Sequence, residues 1–209
     1  MIAIIDYNAG NLTSVAHAVS YLGFKAVITS NIQEINKAER IIFPGVGAAG
    51  SAMKSLKSQS LDAAIKSEFV TGKPILGICL GTQIIMGHSN ENDTSCIGII
   101  KGNVSPFDPN MRDEEDMILK IPHMGWNSIQ VKIDHPLFSG LKKEDEFYFV
   151  HSFYPAPEKK GDIIASTSYG TPFPSVIGFD NIIATQFHPE KSGKPGLTLL
   201  NNFCRWQPC

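Results

Sequence analysis

The sequence predicts an α/β fold in a single domain, residues 1–209: a mixed, largely parallel sheet with helices on both faces and antiparallel additions in the second half. Two observations carry that prediction. Over the first ninety residues, short apolar runs alternate with segments of helical spacing, and strand–helix–strand repeats of this kind build parallel sheets covered on both sides. Beyond residue 95 the rhythm changes to short strand-like stretches separated by turn residues, as antiparallel pairs and edge strands require.

Taken in order, IAIID at 2–6 is apolar up to Asp6, as in a strand buried on both faces. After the YNAG turn, Leu12, Val15, Ala16, Val19 and Leu22 recur at helical spacing, with Asn11 as the expected cap and Gly23 as the stop. KAVIT (25–29) is the second strand and RIIFPG (40–45) the third, ended by Pro44. Residues 51–70 read as one long helix. KPILGI (73–78) is the fourth strand, and LGTQIIMGHS opens another helix. In the second half IGIIKGNV, MILKI, NSIQVKI, EFYFVHSFY, DIIASTS, PSVIGF and NIIATQF are strand-like, and GLTLLNNFCRW closes the chain as a helix.

Composition narrows the function classes. A hydrophobic fraction of 43% supports a sizeable core, and a net charge of −2 offers no general attraction to nucleic acid or to a membrane surface. No apolar run approaches the roughly 20 residues that span a bilayer. The start, MIAIIDYNAG, lacks the basic residues of a signal peptide. The four cysteines, at 79, 96, 204 and 209, include no Cys-x-x-Cys pair, which points to a reduced, cytoplasmic setting. No metal-ligand spacing is present, and neither metal nor cofactor is expected. The acidic run DEED at 113–116 reads as a solvated loop.

The informative stretch is PILGICLGTQIIMG (74–87). Gly77-Ile78-Cys79-Leu80-Gly81 is the cysteine form of the G-x-S-x-G elbow, placed where a strand hands over to a helix. That strand end is where α/β sheets bind ligands. Side chains two before and two after the nucleophile would collide in so tight a turn, which accounts for the glycines. The helix start beneath the sulfur favours thiolate, and the Leu80 N–H points where an oxyanion would form. A buried, inert cysteine is the competing reading, so a base must be found. Of six histidines, His188 in ATQFHPEKSG lies just past an apolar strand. Pro189 keeps it extended, and in an extended segment Glu190 faces the same side as His188. Glu190 can then fix the imidazole tautomer, the part of a third triad member. IIFPGVGAAG (41–50) supplies a glycine-rich strand end whose backbone N–H groups can approach a developing oxyanion.

With PGVGAAG, GICLGTQ and ATQFHPEKSG in that order, the chain resembles class I (triad) glutamine amidotransferases over nearly its whole length. DYNAGNLTSV, IPHMGWNSI (121–129) and YFVHSFY (148–154) resemble the branch that supplies ammonia to imidazole glycerol phosphate synthase. The resemblance implies that Cys79 attacks glutamine, with His188 as acid and base and Glu190 as its orienter. Leu80 and either Val46 or Gly47 would hold the oxyanion, and Gln83 with the backbone at Ser152 and Phe153 would hold L-glutamine. His151 would be structural or interfacial. Thr82 and Ala49 depart from the family's usual residues without touching this chemistry.

Ammonia must travel by a dry route, because water would protonate it, and this chain has no room for a synthase domain. The resemblance implies a heterodimer with a (β/α)8-barrel cyclase that converts N1-(5-phosphoribulosyl)formimino-AICAR-phosphate to imidazole glycerol phosphate and AICAR. Asn11, Ser14, Met124, Trp126 and Lys191 would face it, with Trp126 exposed in a Gly-containing turn as an anchor. The catalytic motifs alone leave open a glutaminase subunit of another synthase, or a stand-alone cysteine hydrolase.

Overall fold

Runs rich in Ile, Leu, Val and Phe become the parallel heart of the sheet. The computed structural model describes residues 1–8 and 10–208. Its first half comprises β1 (Ile2–Ile5), α1 (Leu12–Tyr21), β2 (Ala26–Thr29), α2 (Ile32–Lys37), β3 (Arg40–Gly45), α3 (Ala49–Ser58), α4 (Leu61–Val70), β4 (Ile75–Cys79) and α5 (Leu80–Ile84). There follow β5 (His88–Ser89), β6 (Thr94–Ser95), β7 (Gly102–Pro106), β8 (His123–Ser128), β9 (Gln130–Val131), β10 (Glu146–His151) and β11 (Phe153–Pro157). The chain closes with β12 (Ile163–Tyr169), β13 (Thr171–Phe179), β14 (Ile182–Thr185) and α6 (Gly193–Arg205).

The main sheet has eight strands in the order β2-β1-β3-β4-β14-β13-β12-β9. From β2 to β14 the neighbours are parallel, and from β14 to β9 antiparallel. Each central strand feeds two cores, because successive side chains leave opposite faces. Ile2 and Ile4 of β1 join Val15 and Val19 of α1 and Leu199, Leu200 and Phe203 of α6 on one side. Ala3 and Ile5 join Met53, Leu56, Leu61 and Ile65 of α3 and α4 on the other. Every residue of β1, β3, β4 and β14 is buried, which explains why those runs, Arg40 and Thr185 at their ends aside, are apolar rather than alternating. The largely parallel sheet with its antiparallel additions matches the expected class.

Several expected elements differ. The long helix at 51–70 is two helices, broken at Ser60, whose φ of 57° lies in the left-handed region. Pro44 does not end β3, which runs on to Gly45. Helix α2 has no counterpart in the sequence reading, though Asn31 caps it by accepting from the Gln33 N–H at 2.8 Å. MILKI forms no strand, only a bridge between Arg112 and Ile118. HMGWN is not a turn but strand β8, with Gly125 at a φ of 141° inside it. Among the described residues no helix is long and apolar enough to cross a membrane.

Candidate active site

The elbow is a product of packing. Cys79 ends β4 with φ 53° and ψ −106°, a conformation that costs a non-glycine residue on the order of 1–3 kcal/mol and persists only where its surroundings impose it. A Cβ at Gly81 would lie 1.8 Å from the Phe43 carbonyl oxygen, and one at Gly77 would lie 2.8 Å from Cβ of Ala184. The glycines are therefore required by the neighbouring strands β3 and β14 rather than chiefly by each other. Helix α5 below the sulfur has only five residues, too short for a sizeable dipole. The groups that address the sulfur are instead a side-chain amide and a backbone carbonyl. Gln186 Nε2 lies 3.7 Å from Cys79 Sγ, and the thiol lies 3.9 Å from the Val150 carbonyl oxygen.

His188 leaves the end of β14 extended, at φ −100° and ψ 93°, but Pro189–Lys191 then forms a 3-10 turn. The turn, not an extended segment, brings the carboxylate round: Glu190 Oε1 accepts from His188 Nδ1 at 2.8 Å. Both side chains are buried, and His188 Nε2 has no hydrogen-bond partner among the described residues. Burial lowers the tendency of His188 to hold a proton, but the adjacent Cys79 sulfur and Glu190 carboxylate outweigh it and raise its pKa to about 10. Asn11 does not cap α1 with its side chain. Its amide Nδ2 donates to Glu190 Oε1 instead.

Register fixes the third component. Gly45 of β3 lies directly opposite Cys79 of β4, so Val46 and Gly47 leave the sheet beside Cys79. Gly45 itself must lack a side chain, because its Cβ would fall 1.9 Å from the Tyr7 hydroxyl, which donates to the Pro44 carbonyl at 2.9 Å. Beyond it Gly47 has a φ of 106° and open space where a Cβ would go. An open cleft of about 390 Å³ gathers Val46, Gly47, Cys79, Leu80, Gln83, Ser152, Phe153 and His188, a volume in the usual range for small-ligand sites. Gln83 faces this cleft, yet its Nε2 is already bonded to the Phe153 carbonyl at 2.9 Å and to Gln186 Oε1 at 3.2 Å.

Two lining or supporting residues were missed from sequence. Glu91 lines the cleft and accepts from the Ala49 N–H at 2.7 Å through Oε2. Gln186 is fully buried beside the sulfur. Neither lies in a local pattern that signals a role, although Gln186 stands two residues before His188.

Around the mouth, Met124 and Trp126 are 62% and 53% exposed. Trp126 packs edge-on to Tyr148 at 6.0 Å, and the exposed Lys191 carries its Nζ over the ring of the same tyrosine, also at 6.0 Å. Ser14 is half-buried. The remaining thiols stand apart from the site: burial raises Cys96 to about 11 and Cys204 to about 12. Cys209 lies outside the described residues.

A family model described as glutamine amidotransferase class-I matches residues 3–206. An imidazole glycerol phosphate synthase subunit HisH from Maridesulfovibrio salexigens is 52% identical over 203 residues, covering 97% of this chain and 95% of its own. A protein of the same name from Neisseria meningitidis is 42% identical over 210 residues, covering 98% and 99%. Among solved structures, one described as a glutamine amidotransferase has a TM-score of 0.73 at 15% identity, covering 98% of this chain and 100% of its own. PurLQS from Thermotoga maritima has a TM-score of 0.74 at 16% identity, covering 98% and 97%. At those identities the structural likeness is one of fold.

Proposed function

The chain belongs to the glutamine amidotransferase class-I family, and from that premise we propose how its residues divide the work. It acts as the glutamine-hydrolysing subunit of an imidazole glycerol phosphate synthase, in histidine biosynthesis. Residues 1–209 serve as one glutaminase domain, working in the cytoplasm.

Cys79, as thiolate, attacks the side-chain amide carbon of L-glutamine. The oxyanion that forms is held by the Leu80 N–H and by the N–H of Val46 or Gly47. His188, charged at rest, gives its proton to the amide nitrogen, ammonia leaves, and a γ-glutamyl thioester remains. The now neutral His188 takes a proton from water, the resulting hydroxide attacks the thioester, and glutamate departs as the sulfur is released. Glu190 keeps the proton on Nδ1, so that Nε2 is the atom that exchanges it. Gln83 and the Ser152–Phe153 backbone bind the substrate, and the free oxygen of Glu91 suits its α-ammonium group.

Ammonia passes to a (β/α)8-barrel cyclase docked over the mouth, where Asn11, Ser14, Met124, Trp126 and Lys191 form the rim. The observation that supports this reading best is the unpartnered, buried Nε2 of a charged His188 beside a strained Cys79. Glutamate release by the complex, by the subunit alone, and by a Cys79→Ala complex tests it. Activity should rise when the cyclase and its ligand bind, and Cys79→Ala should remove at least about 10⁴-fold while the partner still binds. Hydrolysis that survives in Cys79→Ala refutes the nucleophile, and equal rates with and without partner refute the activation.

A further inference from the structure

Two buried histidines do no chemistry in that cycle. His123 on β8 and His151 on β10 are register partners across an antiparallel pair, 3% and 5% exposed. Aromatic rings enclose them: Tyr169 and Phe149 lie 4.1 and 4.8 Å from His123, and Phe107 and Phe173 each lie 5.2 Å from His151. Phenylalanine would fill such a cage without burying polar atoms, since each imidazole brings two nitrogens that need partners.

Those partners form a chain with one direction. The Phe153 carbonyl can only accept, so His151 Nδ1, 2.9 Å away, carries a proton. His151 Nε2 is then an acceptor, and His123 Nδ1 donates to it at 3.0 Å. His123 Nε2 accepts in turn from Asn127 Nδ2 at 3.4 Å, and the Asn127 amide is itself anchored on the Ser168 carbonyl at 3.0 Å. Both rings are neutral and protonated on Nδ1. Burial supports this by pushing both below the ordinary histidine value, His123 to about 4 and His151 to about 3. At the inner end the Phe153 carbonyl also receives Gln83 Nε2.

We propose that His151, oriented by His123 and Asn127, is a positioning residue for glutamine binding: its Nδ1–H fixes the Phe153 carbonyl and with it the Ser152–Phe153 backbone that receives the substrate's amino-acid head. The proposal rests on the glutamine site described above. The donor chain ends on a substrate-binding backbone segment rather than on a reacting atom, so its loss belongs in KM rather than kcat.

Two measurements test it. Nitrogen-15 NMR of the wild-type protein at neutral pH should find both rings protonated on Nδ1, and either ring protonated on Nε2 overturns the relay. In the complex with the cyclase, His151→Phe fills the cage but donates nothing, whereas the amide nitrogen of His151→Asn can stand where Nδ1 stands. His151→Phe should raise KM for glutamine about tenfold with kcat within about threefold, and His151→Asn should stay near wild type. An unchanged KM in His151→Phe, or an equal rise in both variants, overturns the positioning role. If His151→Phe does not fold, the ring assignment decides alone. A wild-type complex that hydrolyses no glutamine refutes the glutaminase reading and leaves that assignment to judge the relay.

Discussion

His188 and His151 line one cleft and His123 backs His151, all three buried, yet His188 and the pair are held in opposite protonation states. Burial acts on all three in the same direction, against charge. His188 escapes it because Glu190 Oε1 lies 2.8 Å from Nδ1 and the Cys79 sulfur lies beside the ring. The pair meets aromatic faces, an amide, a carbonyl and each other, with the His188 charge further opposing a proton on His151, and both rings stay neutral. What decides the charge of a buried histidine here is the anion beside it, not the depth at which it lies. Each state suits its place. A proton donor to a departing amide must be charged before the reaction, whereas a ring that aims a backbone carbonyl must keep one tautomer throughout.

Removing the anion breaks the contrast most strongly. Glu190→Gln keeps the shape and an acceptor oxygen but takes away the charge. His188 should then titrate well below its wild-type value, and kcat for glutamine hydrolysis in the complex should fall by roughly 100- to 1,000-fold. KM should change little. An NMR titration of His188 alongside steady-state rates checks both parts. A His188 that still holds its proton into the alkaline range in Glu190→Gln would show that the sulfur alone sets its charge.

A smaller effect sharpens the contrast through stability. For His123 and His151 the folded values, about 4 and about 3, lie below the ordinary 6.5. The unfolded chain therefore binds more protons over that interval. Their stabilising contribution is complete above about pH 6.5 and is lost as the pH falls toward 4 and 3. His188 has the opposite sign: its folded value is raised to about 10, so its contribution is complete below about pH 6.5 and is lost as the pH climbs toward 10. Urea unfolding should show a loss on the order of 4 kcal/mol from the pair between pH 7 and 5. Replacing both rings by Phe should flatten that acid limb. An acid limb of unchanged steepness in the double variant would assign the loss to carboxylates instead.

The proposed catalytic elements were legible because their signals are local. Gly77, Cys79 and Gly81 mark the elbow within five residues, and His188 and Glu190 sit two apart. Even there the contact forms by another route than the extended segment expected, since the 3-10 turn at Pro189–Lys191 turns Glu190 inward. The break at Ser60 went unseen because neither glycine nor proline marks it. Trp126 was expected in a turn because Gly125 precedes it, but that glycine supplies a positive φ inside a strand. Gln186, 107 residues from Cys79, and Glu91, 42 residues from Ala49, meet their partners only once the sheet is assembled. No periodicity records such a meeting.

Asn11 is the extreme of that distance, 179 residues from the carboxylate it touches, and it carries the smallest predicted effect. Its amide donates to Glu190 Oε1, the oxygen that also accepts from His188, while Oε2 is buried without a partner among the described residues. Losing the amide removes a donor that holds the carboxylate in place, which loosens its contact with the imidazole. Asn11 has a φ of 73°, so alanine would add backbone strain to the loss of the amide. Asn11→Gly removes the amide and accepts that φ without penalty. It should lower kcat about threefold to tenfold with KM unchanged, and His188 should titrate lower than in wild type, though less so than in Glu190→Gln. A kcat equal to wild type would mean that the Glu190–His188 contact needs no support from α1, and that Asn11 serves the rim alone.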